Sequence, residues 1–310
     1  MFRQLRKSLR KRLESRTFAR QRNCRRRVFS SEQLESRRLL AWTSSWDNLT
    51  GNLTVTVEGP QDIEMTEVGG AIKINGSDIF FFGSLDASDV RFVTVTAVGE
   101  FDNLIDLHAI SRANVPTLQV AQIFGGPGND TIFGPEVNST LDGQHGNDHI
   151  ESNDADDNVF GGPGDDTLVI RDGEDNYDGG DGNDHYWFAR ATDAGINIVA
   201  DSSGVDTINF SAFNGVTFDA GNFSPQQVAT NSLLTLSTGT TLERLIGSPG
   251  DDVLYAADGV QSTLTGFDGN DSLIGSSNND HLEGGEGTNV LAGGDGNDTY
   301  LIEKGPLEDP

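Results

Sequence analysis

The sequence predicts an all-β protein, a parallel β-roll or β-solenoid built in two arrays, with a basic N-terminus expected to be disordered. Three observations predict it. A nine-residue period runs through residues 125–187 and returns in 247–301. Glycine is abundant, 38 of 310 residues, while only 35% of residues are hydrophobic, too few for an average globular core. Ahead of the first array, LTVTVEG, AIKING, SDIFFFGS and RFVTVTAVG alternate apolar and polar residues as short strands do.

Charge divides the chain at its start. Residues 1–40 hold 14 Lys/Arg and 3 Glu, net +11, whereas residues 41–310 hold 7 Lys/Arg and 45 Asp/Glu, net −38. A body this acidic repels nucleic acid and anionic membranes, and it opposes compaction unless cations bind within the fold. The one cysteine, Cys24, lies in the basic head, which excludes a disulfide within the chain and a cysteine-based metal centre. No stretch approaches the ~20 apolar residues of a membrane span. The head lacks the apolar core of an ordinary signal peptide. Its end, Glu32-Gln33-Leu34-Glu35-Ser36-Arg37-Arg38-Leu39-Leu40-Ala41, resembles the LEPR-XLL segment at the start of large exported bacterial surface proteins, with Ser36 where that pattern has Pro. The resemblance implies export or sorting. The alternative is a cationic arm that touches nucleic acid or its own acidic body.

Cut in nines from Gly125, the first array reads GGPGNDTIF, GPEVNSTLD, GQHGNDHIE, SNDADDNVF, GGPGDDTLV, IRDGEDNYD, GGDGNDHYW. Its sixth column is Asp130, Ser139, Asp148, Asp157, Asp166, Asp175, Asp184; its eighth is Ile132, Leu141, Ile150, Val159, Leu168, Tyr177, Tyr186. The second array starts with GSPGDDVLY at Gly247, passes a ten-residue row at 256–265, and continues GFDGNDSLI, GSSNNDHLE, GGEGTNVLA, GGDGNDTYL. Six residues of each row can turn tightly on glycine, and three can form a strand with one side chain pointing inward. Two rows make one coil, coils stack at ~4.8 Å, and the eighth column is the core. One apolar side chain per nine residues is too little to offset chain entropy, so bound metal is expected to supply the difference.

These rows resemble the haemolysin-type (RTX) calcium-binding nonapeptide G-G-x-G-x-D-x-U-x. The resemblance implies calcium held by turn carbonyls and by carboxylates of two stacked turns, a donor set that suits the 6–8 oxygens calcium takes. Consecutive rows turn on opposite sides of the roll, so neighbours on one side are two rows apart. One side of the first array is intact, with Gly126, Gly128 and Asp130, Gly146 and Asp148, Gly162, Gly164 and Asp166, Gly180, Gly182 and Asp184. The other side, with Val137 and Ser139, Ala155 and Asp157, Gly173 and Asp175, is degraded. The second array offers Gly250 and Asp252 facing Gly269 and Asp271, with Gly285, Gly287 and Asn289 beyond, and on its other side Gln261, Asp280, then Gly294, Gly296 and Asp298. The expected load is about five calcium ions. His145, His149, His185 and His281 flank turns without other ligands and read as surface residues.

The expected organisation is a basic export leader at 1–41, an N-terminal β-strand or solenoid cap at 42–124, the first array at 125–187, a β-rich cap or linker at 188–246, the second array at 247–301 and a tail at 302–310. Residues 204–213 resemble the segment that follows RTX arrays and closes the roll. Residues 214–255 resemble the linker of the repeat domain attached to serralysin-type metalloproteases; the protease motif H-E-x-x-H is absent. Phe80-Phe81-Phe82 reads as core or cap packing. The functional expectation is a non-catalytic, calcium-binding repeat protein, secreted or at the cell surface, structural or adhesive, folding on calcium after export. Its expected partners are calcium and a surface polysaccharide or another surface protein, with no nucleic acid and no membrane span. The alternative is the accessory module of an extracellular enzyme, or a divergent form of one.

Overall fold

A computed structural model describes residues 28–30, 41–47, 49–75, 77–78, 85–189, 196–229 and 232–302. Phe80-Phe81-Phe82, Cys24 and most of the basic head lie outside the described residues. The fold is all-β: apart from one 3-10 turn at Ala87–Asp89, every regular element described is a strand. Most strands are three to eight residues long and pair in parallel with the strand one coil away, as a nine-residue row of turn and strand requires.

The coils form two faces. One is a single 13-stranded sheet, hereafter the continuous face, which takes in Ile63–Val68, Leu104–Asp106, Thr131–Phe133, His149–Glu151, Thr167–Ile170, His185–Phe188, Thr207–Asn209, Arg244–Ile246, Thr263–Thr265, His281–Glu283 and Thr299–Leu301 in spatial order. The opposite face is split into an 11-stranded sheet and a separate 4-stranded sheet that starts at Thr217–Asp219. Register follows the period: Ile132 faces Ile150, which faces Leu168, which faces Tyr186, each 18 residues on, and on the opposite face Leu141 faces Val159, which faces Tyr177. The seven eighth-column side chains of the first array are all 0–1% exposed and form one core with Ile208, Leu245, Leu254, Leu264, Leu273 and Leu282. At the last coil this burial fails, with Tyr300 45% and Leu301 44% exposed.

Two regions expected to flank the arrays contribute strands to the same sheets. Asn52–Glu58 and Phe92–Val98 run parallel into Val120–Pro127, the first strand of the array, so residues from 52 onward already build coils. Between the arrays, Ile196–Ala200 and Ser232–Leu236 extend one face, and Thr207–Asn209 and Arg244–Ile246 join the continuous face without a gap. The aromatic cluster of Phe188, Phe210, Phe213 and Phe218, with ring centroids 5.1–5.8 Å apart, fills the interior where the rows are longest.

Glycine serves two different needs in each turn. Gly164 has φ +151°, and a Cβ there would lie 1.8 Å from the carbonyl oxygen of Gly146 one coil away, so the fourth column stacks backbone directly on backbone. Gly161 needs no positive φ; a Cβ there would strike the carboxylate of Asp166 at 2.3 Å. The first column is therefore glycine because a carboxylate occupies the space.

Candidate metal-binding column

Along the edge where the chain enters the strands of the continuous face, one acidic side chain per coil lies under the next. The backbone N–H of Asn103 donates to Asp130 Oδ1 (2.7 Å), that of Asp130 to Asp148 (2.7 Å), of Asp148 to Asp166 (2.7 Å), of Asp166 to Asp184 (2.8 Å) and of Asp184 to Asp206 (2.8 Å). The N–H of Asp206 donates to Glu243 Oε2 (2.8 Å), and after Ser262 the series resumes through Asp280 to Asp298. A second ladder one residue earlier runs the other way: Asn129, Asn147, Asp165, Asn183 and Val205 each donate a backbone N–H to the side chain of the coil before. Every turn is thus tied to both neighbours.

The inner ladder uses one carboxylate oxygen and leaves the other. Asp130, Asp148, Asp166, Asp184 and Asp206 are 0–2% exposed, and the Oδ2 of each is buried without a hydrogen-bond partner. None of the five forms an ion pair with a lysine or arginine among the described residues. Burial raises the carboxyl pKa of Asp130 and Asp184 to about 6 and of Asp148 and Asp166 to about 7, with neighbouring carboxylates pushing the same way. Stacked, buried, half-satisfied carboxylates against backbone carbonyls are a hard-oxygen donor set, which fits calcium and does not fit a soft metal.

The other edge is closed differently. Asp157 and Asp175 also accept from the coil before, but Asp157 Oδ2 takes the N–H of Asn153 (3.3 Å), and Asp175 Oδ2 takes the hydroxyl of Tyr177 (2.8 Å). Tyr177 Oη in turn meets the Ser152 hydroxyl at 2.7 Å. Burial raises the carboxyl pKa of Asp157 to about 8 and of Asp175 to about 7, against the pull of these hydrogen bonds. In the second array Asp252 and Asp280 are closed by the N–H groups of Ser248 and Ser276, both 2.6 Å, while Asp271 keeps a buried, unpartnered Oδ2. Asp298 is half-buried at the final coil.

The predicted glycines occupy these turns. Gly126, Gly128, Gly146, Gly162, Gly164, Gly173, Gly180, Gly182, Gly269, Gly285, Gly287, Gly294 and Gly296 all have positive φ; Gly250 does not. Ser262, rather than the expected Gln261, stands in the column, because Thr263 pairs with His281 and the extra residue is absorbed in the preceding turn. The long row does not break the second-array pair: Asp252 N–H reaches Asp271 Oδ1 at 2.9 Å. Of the histidines, His145 is exposed, and His149, His185 and His281 are half-buried on strands; burial lowers the pKa of His185.

Sequence reading missed Asp201, Asp206 and Glu243. Ligand oxygens of Asp184, Asp201 and Asp206 lie within 4.8 Å of one another, and Asp201 Oδ1 is likewise buried and unpartnered. Burial raises the pKa of both Asp201 and Asp206. The signal was present in Gly204-x-Asp206-x-Ile208, which keeps the fourth, sixth and eighth columns of a row, but 22 residues separate Asp184 from Asp206 instead of 18.

A parallel β-solenoid whose turns stack buried carboxylates against one another defines a cation-binding repeat protein. The family model of the RTX calcium-binding nonapeptide repeat matches residues 122–134, 136–168, 152–186, 238–260 and 265–300, so the chain carries RTX nonapeptide repeats, which bind calcium. No curated protein matches the chain. The repeats are typically non-catalytic modules, and no helix among the described residues is long and apolar enough to cross a membrane.

Two predictions follow from the column. Asp148→Ala and Asp166→Ala each remove a carboxylate shared by two coils and should lower calcium stoichiometry in calorimetry, whereas Asp157→Ala, whose second oxygen is already bonded, should leave it unchanged; equal losses in all three would show that the edges do not differ. The second concerns pH. The first-edge carboxyls titrate at about 6 to 7 when folded and near 3.9 when unfolded, so the metal-free fold binds more protons than the unfolded chain between those values. Stability in EDTA should therefore fall as pH rises from about 4 to 7, and calcium affinity should rise over the same range, as urea titrations and calorimetry at several pH values can show.

Proposed function

We propose that the protein is an extracellular or cell-surface structural element, adhesive in role, that folds when calcium fills its first edge after export. The observation that carries this reading is the run of five buried carboxylates, each with one unpartnered oxygen and no basic partner among the described residues. Metal-free, the fold must protonate these groups or bear their repulsion; with calcium, each ion sits between the charges that repel most. The ligand set we propose comprises Asp130, Asp148, Asp166 and Asp184 with the positive-φ glycines of their turns, and Asp271 in the second array, to which Asp201, Asp206 and Glu243 are added. A surface polysaccharide or a second surface protein is the partner that suits a long, two-faced, non-catalytic rod.

Sites in extracellular calcium-binding modules have affinities of about 10⁻⁴ to 10⁻³ M. At cytosolic calcium they would stay empty, so the chain would travel unfolded and fold outside. Circular dichroism of the full chain should show a weak β signal in EDTA and a strong one in millimolar calcium; the same spectrum in both would remove calcium as the folding ligand. We also propose the head as the export determinant, on its resemblance to a sorting segment and the sign change at Ala41. Cells expressing the chain without residues 1–41 should retain it, and normal amounts in the surface and secreted fractions would point export elsewhere.

A further inference from the structure

On the first edge the first column is glycine in four successive coils, Gly125, Gly143, Gly161 and Gly179, and a Cβ at any of them would strike the Oδ2 of the aspartate in its own row. That oxygen is the one the ladder leaves without a partner. The next coil departs from this rule. Asp178 pairs with Ala200 and Asp181 bridges Ser203, so Asp201 stands one coil beyond Gly179, in the first column of a row whose sixth column is Asp206. The position that elsewhere clears room beside an open oxygen here supplies another carboxylate.

We infer, on the calcium reading proposed above, that Asp184, Asp201 and Asp206 form a three-carboxylate cation site at the joint between the arrays, which in the folded roll holds its ion more tightly than the two-carboxylate gaps between Asp130 and Asp184. Carboxylate oxygens of the three residues lie within 4.8 Å of one another. Asp184 and Asp206 are 1% and 0% exposed, and the Oδ2 of each is buried without a partner, as is Asp201 Oδ1. Each remaining oxygen is held in place by one protein donor. Asp184 Oδ1 accepts the N–H of Asp166 (2.8 Å), Asp206 Oδ1 accepts the N–H of Asp184 (2.8 Å), and Asp201 Oδ2 faces the Tyr186 hydroxyl at 2.6 Å. All three side chains are thus oriented, and each has one oxygen left to give.

Charge and position both favour this site over its neighbours. Among the described residues no lysine or arginine forms an ion pair with any of the three. Carboxylates packed this closely repel unless a cation lies between them, and calcium affinity rises with the charge and the rigidity of the ligand set. The repeat family model stops at residue 186 and resumes at 238, so the site lies where the nonapeptide pattern is interrupted, and its third carboxylate replaces a glycine of that pattern. The spacing between successive column residues stretches here from 18 to 22 and then to 37. Longer intervening chain costs more entropy to close, so the strongest ion site sits where stacking of the coils is most expensive.

Tyr186 gives a direct test, because a tyrosine beside a bound terbium ion sensitises its emission, whereas the rows of Asp130, Asp148 and Asp166 carry Ile132, Ile150 and Leu168 in the same column. Terbium added in substoichiometric amounts to the full-length, calcium-loaded protein should enter this site first and emit on tyrosine excitation. Tyr186→Phe should abolish that early emission and leave terbium uptake unchanged. Asp201→Gly, which restores the usual first-column residue, should keep the β signal and the calcium count but shift the emission midpoint to about tenfold higher terbium; Asp201→Asn, which retains an acceptor for Tyr186, should shift it likewise. Early emission that survives Tyr186→Phe, or a midpoint unmoved in both Asp201 variants, would overturn the ranking of this site. Terbium uptake without early emission in a protein that elemental analysis shows to hold calcium would overturn it too, leaving the calcium reading intact. A folded protein that retains neither ion on dialysis would remove both.

Discussion

One constraint organises the first edge of this molecule: from Asp130 to Asp206 each coil buries a carboxylate with only one of its two oxygens satisfied by protein. The stacked turns bring a backbone N–H to the first oxygen and backbone carbonyls near the second. Without a cation the second oxygen is an uncompensated buried acceptor, and its pKa rises to relieve the cost. Most other features serve this arrangement. First-column glycines clear room for the carboxylate, and fourth-column glycines let the turns approach closely enough for the N–H to reach it. The single apolar residue per row holds the strands together but leaves the turns to be settled by charge.

The two edges show two chemical answers to the same burial. On the first, the open oxygen is kept for a cation; on the second, an amide N–H or a tyrosine hydroxyl fills its place, and Asp157 and Asp175 are held toward the protonated state near neutral pH. Loss of glycine from the fourth column at Val137 and Ala155 accompanies the second answer. In the folded roll, then, one side leaves a buried oxygen open at each turn and the other fills that place with a protein donor.

Much of this was legible in sequence because the period is unbroken: the inward residues, the pairing of rows 18 apart and the inequality of the two sides of the first array all follow from the columns between Gly125 and Trp187. What could not be read was where the period is stretched. Asp206 stands 22 residues after Asp184, and Glu243 stands 37 after Asp206, so neither falls on a nine-residue grid, though both continue the column. Ser262 was displaced by one position for the same reason. Closure by Tyr177, Ser248 or Ser276 was also hidden, since it depends on which way a side chain turns inside the coil.

The continuous face shows how the stretched rows are accommodated. Its strands keep their pairing whether the intervening chain is 18, 22 or 37 residues long, and the surplus is spent on the opposite face, where the sheet divides. Register in this protein is counted in coils, and the number of residues between counts is free. Such a chain can lengthen by insertion at its broken face while the spacing along the other stays near one strand per coil, so bulk can be added to one flank of the rod without bending the ruler on the other.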